Sequence, residues 1–161
     1  MALLRMDRTA RPAGALMTAD GRLIARRARV ADRPCARLVG MLGTPDPACD
    51  EALLLVPCAA VHGVGMRAAI GVAFLSADGR VLKVVDPLPR RGAACPGAHA
   101  VVEAGSGVLR LRPGDRVSLT GARLFPHGAE SAATDGGSTG TPGALSGRGE
   151  HGAPPDQRRM R

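Results

Sequence analysis

The chain has 161 residues, a net charge of +8, two phenylalanines and no tryptophan or tyrosine. That length suits one ordinary domain, and so few aromatic side chains give no stacking platform for single-stranded nucleic acid. No apolar run approaches the roughly 20 residues needed to span a bilayer.

The core must be built from Val, Leu, Ile, Ala and Met. Lys83 is the sole lysine and every other cation is arginine. A basic chain can signal a nucleic-acid or acidic-membrane partner. Here an Arg-, Ala-, Gly- and Pro-rich composition accounts for the charge, so nucleic acid is not the expected partner. The N-terminal apolar run stops at Arg5 and is followed by Asp7, which is not a secretory pattern. The expected setting is the cytoplasm, with Cys35, Cys49, Cys58 and Cys95 as free thiols.

Residues 1–13 read as a frayed arm. From Gly14, two short strands flank Asp20-Gly21, a pair suited to a type I′ turn. Strict alternation puts Leu23, Ala25, Arg27 and Arg29 on one face and Arg22, Ile24, Arg26 and Ala28 on the other, as for a hairpin at a sheet edge. Asp32 is a candidate cap for a helix over Pro34–Leu42, with Pro34 in its first turn and Gly43 as its stop. Leu38, Met41 and Leu42 would share one helical face.

Ala52–Val56 is a continuous apolar run bounded by Pro57 and predicts a strand buried on both faces. Val61–Met66 is Gly-spaced and irregular. Ile70–Ser76, Asp78-Gly79 and Val81–Val85 form the clearest hairpin. A Pro- and Arg-rich loop follows over residues 86–97. A strand over Ala98–Ala104 would place Ala98, Ala100, Val102 and Ala104 on one face. After the Gly105–Arg110 connection, a tight turn at Arg112-Pro-Gly-Asp115 feeds a last strand to Leu124. Half of the last 36 residues are Gly, Pro, Ser or Thr. They have too little apolar surface to offset ordering entropy, so residues 126–161 are expected to be a disordered tail.

This order of elements resembles the bacterial and archaeal domain-of-unknown-function 192 family over roughly Ala15 to Leu119. Arg37-Leu-Val-Gly-Met-Leu-Gly43 is similar to the family's Arg-x-x-Gly-Leu-Leu-Gly segment. Ala52 to His62 is similar to the strand and His-containing turn of actinobacterial members. Gly65-Met-Arg67, Ile70, Val72–Leu75 and Asp78–Val81 are similar to the central hairpin, and Ala100–Glu103 with Arg112–Val117 to the closing motifs. The chain departs from the pattern at Val64, Ala68, Ala69 and Gly71; the last stands where the family usually has Asp. The resemblance implies a mostly β (α+β) fold and no established activity, cofactor or substrate.

Two constellations could carry chemistry. Cys58-x-x-x-His62 and Cys95-x-x-x-His99 offer thiolates and imidazoles, a donor set that suits tetrahedral zinc. The plain alternative is a small buried thiol at Cys58, a hydrogen-bonded turn residue at His62 and an incidental second pair. Cys58 and His62 alone could form a nucleophile and base, with Asp86, Glu103 or Asp115 orienting the imidazole. No cysteine-hydrolase signature surrounds Cys58.

Arg26, Arg27, Arg29, Arg33 and Arg37 form one basic run, and Arg90, Arg91, Arg110, Arg112 and Arg116 another. They read first as solvated, edge-protecting charge and second as a phosphate or acidic-partner site. Asp115 is expected to bond turn amides. Glu103, on a strand, is expected to be exposed or paired with an arginine.

The overall expectation is a single domain over residues 14–125, a compact β-barrel or sandwich-like fold with one or two short helices. It would act as a non-catalytic binding or accessory module for an unknown protein partner, without a cofactor. His62, Met66, Arg67, Glu103 and Asp115 would form its binding surface. A metal-dependent or thiol enzyme using Cys58 and His62 is the alternative.

Overall fold

Nine strands and one short helix account for the regular structure among the described residues, which in this computed structural model are 10–42, 44 and 47–121. The strands are β1 (Arg11–Thr18), β2 (Leu23–Ala31), β3 (Glu51–Leu55), β4 (Ala60–Val61), β5 (Ile70–Leu75), β6 (Val81–Val85), β7 (Ala93–Ala94), β8 (Ala100–Gly105) and β9 (Val117–Leu119). The helix, α1, is Pro34–Val39. Residues 1–9 of the expected arm, the Gly43 stop, residues 122–124 of the expected last strand and the expected tail lie outside the described residues.

Seven strands form one sheet in the order β6-β5-β8-β3-β2-β1-β9, and β4 pairs with β7 in a separate ribbon. The large sheet curls until its two edges touch. An antiparallel bridge joins Arg80 to Arg116, and the Val81 amide donates to the Asp115 carbonyl at 2.7 Å. The architecture is therefore mostly β and barrel-like.

The central strands β3, β5 and β8 are buried on both faces, and strand alternation divides the core. Ala52 and Leu54 of β3, Ala73 and Leu75 of β5, and Ala100, Val102 and Ala104 of β8 line the inside of the curl with Leu16, Val30 and Val117. Leu53 and Leu55, Ile70, Val72 and Phe74, and Val101 face outward. There they meet Ala36 of α1, Met41, and the layer that carries Cys58, Val61, Met66 and Ala93. This second layer accounts for the continuous apolar runs of β3 and β5, whose outward residues are also covered.

Both hairpin expectations hold in place, and the type I′ turn expected at Asp20-Gly21 is not formed. Gly21 and Gly79 have φ of 85° and 79°, while Asp20 and Asp78 are not in the left-handed region. Each loop is a three-residue turn ending in a left-handed glycine, closed by Thr18 N–H to the Arg22 carbonyl and by Ser76 N–H to the Arg80 carbonyl, both at 2.9 Å. The Thr18 and Ser76 hydroxyls bond back to Arg22 and Arg80 in the same way.

The first hairpin is not at an edge. β9 returns antiparallel outside β1, and β2 runs parallel to β3 through the α1 crossover. Its alternation is interrupted by register shifts along β1, so Ile24 and Ala25 are both buried. Strand β1 also starts at Arg11, inside the expected arm.

Helix α1 is shorter than predicted. Gly40 ends it at φ 49°, so Met41 and Leu42 follow the helix rather than share its face. Leu38 is consequently 72% exposed while Met41 is buried. Asp32 does not cap it, because its carboxylate is taken by the Arg11 Nε at 2.8 Å. The expected strand over Ala98–Ala104 begins at Ala100, and Ala98 packs on the outer face instead. The loop over residues 86–97 contains β7, a two-residue strand with no sequence signal of its own.

Candidate functional site

Glu103 is the feature around which the site is built. It lies on β8 between two sheet neighbours, paired with Leu53 of β3 and Val72 of β5. Directly paired residues share a face, so the carboxyl is flanked by apolar side chains on both sides. The turn after α1 covers it, leaving Glu103 only 4% exposed. Its Oε2 accepts the Met41 N–H at 3.1 Å. Gly40 permits this approach, since a Cβ there would sit 3.0 Å from Oε2.

Burial pushes the Glu103 carboxyl up to about 7, against the weaker opposing pull of the Met41 amide. The expectation of an exposed or arginine-paired Glu103 is therefore wrong. The strand is central rather than peripheral, and the nearby Arg37 guanidinium is turned to the carbonyls of Asp32 and Val56, at 2.7 and 3.3 Å.

The carboxyl opens onto a cleft of about 310 Å³ between α1 with its following turn and the segment that carries β4. Met41, Leu42, Leu55, Val61 and Met66 supply apolar wall, and Arg37, Leu38, Cys58 and His62 are also among the lining residues. Three of the expected binding residues, His62, Met66 and Glu103, thus meet in one place. Arg67 is exposed and follows Met66 outside that lining. Asp115 lies elsewhere: its carboxylate accepts the Arg112 N–H at 2.9 Å, as expected of a turn, and the Arg22 guanidinium at 3.1 Å. Arg37, a member of the first basic run, lines the cleft, while Leu38 and Met41 carry no site expectation although they fall within the family-like Arg37–Gly43 segment.

Cys58 is half-buried and its thiol donates to the Ala60 carbonyl at 3.2 Å. Burial pushes this thiol up. His62 is exposed, and no hydrogen bond joins it to Asp86, Glu103 or Asp115 among the described residues. Backbone bonds bring the two Cys/His segments side by side: Cys58 N–H to the His99 carbonyl and Cys95 N–H to the Ala59 carbonyl, each at 2.9 Å. Among the described residues, however, no three His, Cys, Asp or Glu side chains gather as a metal-ligating group.

The arginine runs are partly engaged. Arg27 pairs with Asp50 and Glu51, and Arg116 with Asp78. No helix among the described residues is long and apolar enough to cross a membrane.

Gly71 adjoins a second carboxylate. A Cβ at this position would lie 2.7 Å from the Asp86 carboxyl, which accepts the Ser106 hydroxyl at 2.5 Å and the Gly107 N–H at 2.7 Å. The space beside Gly71 is thus filled by Asp86. Gly71→Ala is expected to cost about 1–2 kcal/mol through this crowding. The penalty should vanish in an Asp86→Ala background, a coupling that urea unfolding of the four proteins would measure.

These observations meet a consistent set of likenesses. The sequence profile of the DUF192 family, described as an uncharacterized ACR, matches residues 15–119, and the chain belongs to that family. No curated protein matches the chain. A crystal structure from Sinorhizobium meliloti 1021, named provisionally as a transcription regulator, is similar at 19% identity and TM-score 0.58, covering 67% of this chain and 92% of that one. A protein of unknown function from Novosphingobium aromaticivorans DSM 12444 is similar at 20% identity and TM-score 0.56, covering 68% and 84%. At these identities the likeness extends to the fold.

Proposed function

We propose that this protein is a non-catalytic binding module whose ligand seats in the cleft between α1 and the Cys58–Met66 segment. The observation that carries this reading is an apolar-walled cleft ending on a buried carboxyl with no activated nucleophile beside it. Small-molecule sites have this composition, mostly apolar with a few placed polar groups. A protein partner could use the same cleft by inserting one side chain, flanked by the exposed Leu38 and Val64. Nucleic acid stays outside this reading because Phe74 is the lone aromatic residue among the described ones. A cytoplasmic setting is part of the proposal, supported by four cysteines that form no disulfide.

The test uses the full chain labelled at its methionine methyl groups. Small organic probes, n-butanol and butyramide among them, should produce saturable shifts concentrated at Met41 and Met66. Shifts scattered over all six methionines, or none with any neutral or cationic probe, would remove the cleft as a binding site.

The thiol-enzyme alternative has its own check. A raised thiol is a poorer source of thiolate at neutral pH. Cys58 should therefore react with iodoacetamide more slowly than a free thiol at pH 7, with the site followed by peptide mass spectrometry. Faster reaction at Cys58 would shift the reading to a thiol enzyme.

A further inference from the structure

We infer that the cleft takes a small alkylammonium, its apolar body against Met41, Val61 and Met66 and its cationic nitrogen on Glu103 Oε1. This deepens the binding-module reading and rests on it. Glu103 is only half satisfied. One carboxyl oxygen holds the Met41 amide; the other has no hydrogen-bond partner among the described residues. Among the described residues no cation is paired with the carboxyl either. Its sheet neighbours, Leu53 and Val72, are apolar.

The charged and titratable groups on the elements packed around the carboxyl leave that gap unfilled. On α1, Arg37 is held by the Asp32 and Val56 carbonyls, and Cys35 is exposed. On the β4 side, the Cys58 thiol donates to Ala60, and His62 is exposed at the cleft mouth. On β3, Glu51 pairs with Arg27.

A buried carboxylate without a counter-ion is costly, and an arriving cation removes that cost. A primary ammonium can turn one of its three N–H donors onto the open oxygen and has no acceptor to be stranded. Its hydrogen bond to a carboxylate is charge-assisted and short. A neutral alcohol would leave the charge uncompensated, and a carboxylate ligand would be repelled. The cleft, about 310 Å³, is at the low end for small-molecule sites, which limits the ligand to a short apolar body.

The probe is n-butylammonium, titrated into the full chain with n-butanol as the uncharged control. The readout is the Met41 and Met66 methyl signals at pH 6 and pH 8. Ionised Glu103 is the binding form, so n-butylammonium should bind about tenfold more tightly at pH 8 than at pH 6. Glu103→Gln, with dispersed spectra confirming its fold, should lose at least tenfold in affinity at pH 8 and lose the pH dependence. If n-butanol binds as well as the amine, or Glu103→Gln binds the amine unchanged, the ammonium inference fails and the cleft remains a binding site for another ligand. If neither probe moves these methyl groups, the binding-module reading fails with it.

Discussion

Glu103→Gln is expected to stabilise the protein by about 3 kcal/mol at pH 8 and to change it by less than about 0.5 kcal/mol at pH 4. The folded-state carboxyl sits at about 7, against an ordinary value of 4.5. Between those two values the folded chain keeps a proton that the unfolded chain has released. Stability from this group is therefore greatest below pH 4.5, falls as pH rises and levels off above pH 7. A glutamine has no charge to desolvate, and its carbonyl can still accept the Met41 N–H. The exposed carboxylates Asp32 and Asp50, lowered by hydrogen bonds from Arg11 and Arg27, slope the opposite way at acidic pH. They are common to both proteins and cancel in the difference. Urea unfolding of the pair at several pH values measures the effect, and parallel stability curves would contradict it.

Phe74→Ala is expected to cost about 3–5 kcal/mol and to lower the melting temperature by about 10–20 °C. Phe74 is fully buried on the outer face of β5, in register with Val101 of β8 and Lys83 of β6. It is the largest fully buried side chain in a core otherwise built from aliphatic residues and Met41. The surrounding strands are fixed on both sides, so the hole cannot close by collapse. Lys83→Ala serves as a control: its ammonium lies 6.0 Å from the ring centroid at an exposed site, and its loss should cost under about 1 kcal/mol. A Phe74→Ala penalty below that of Lys83→Ala would place the ring outside a packed layer.

The strands and hairpins were legible where the signal was local. Asp20-Gly21 and Asp78-Gly79 mark both turns, and the apolar run Ala52–Val56 marks a doubly buried strand, which ends at Leu55. The turn at Asp20-Gly21 differs from type I′ because glycine alone takes the positive φ, as the third residue of the loop. The ribbon of β4 and β7 was invisible, since each strand has two residues and the pairing spans more than thirty positions. The parallel β2–β3 pairing depends on a crossover through α1, which periodicity does not encode.

At the site, sequence reasoning found Cys58, His62, Met66 and Glu103 but not their relation. Alternation correctly put Glu103 opposite Ala100, Val102 and Ala104. An acid on such a face reads as solvent-facing. The layer that buries it comes from Gly40 and Met41, sixty residues earlier, where a glycine ends the helix sooner than expected. Long-range coverage of this kind leaves no pattern in the strand itself.

The most direct measurement of the account is the pH titration of the Glu103 side-chain carboxyl by carbon-13 NMR in the full chain. A midpoint near 7 is the result for a buried carboxyl with no counter-ion at the base of the cleft. A midpoint in the ordinary carboxylate range, near 4.5, would mean a solvated or ion-paired Glu103 and would contradict the site as described.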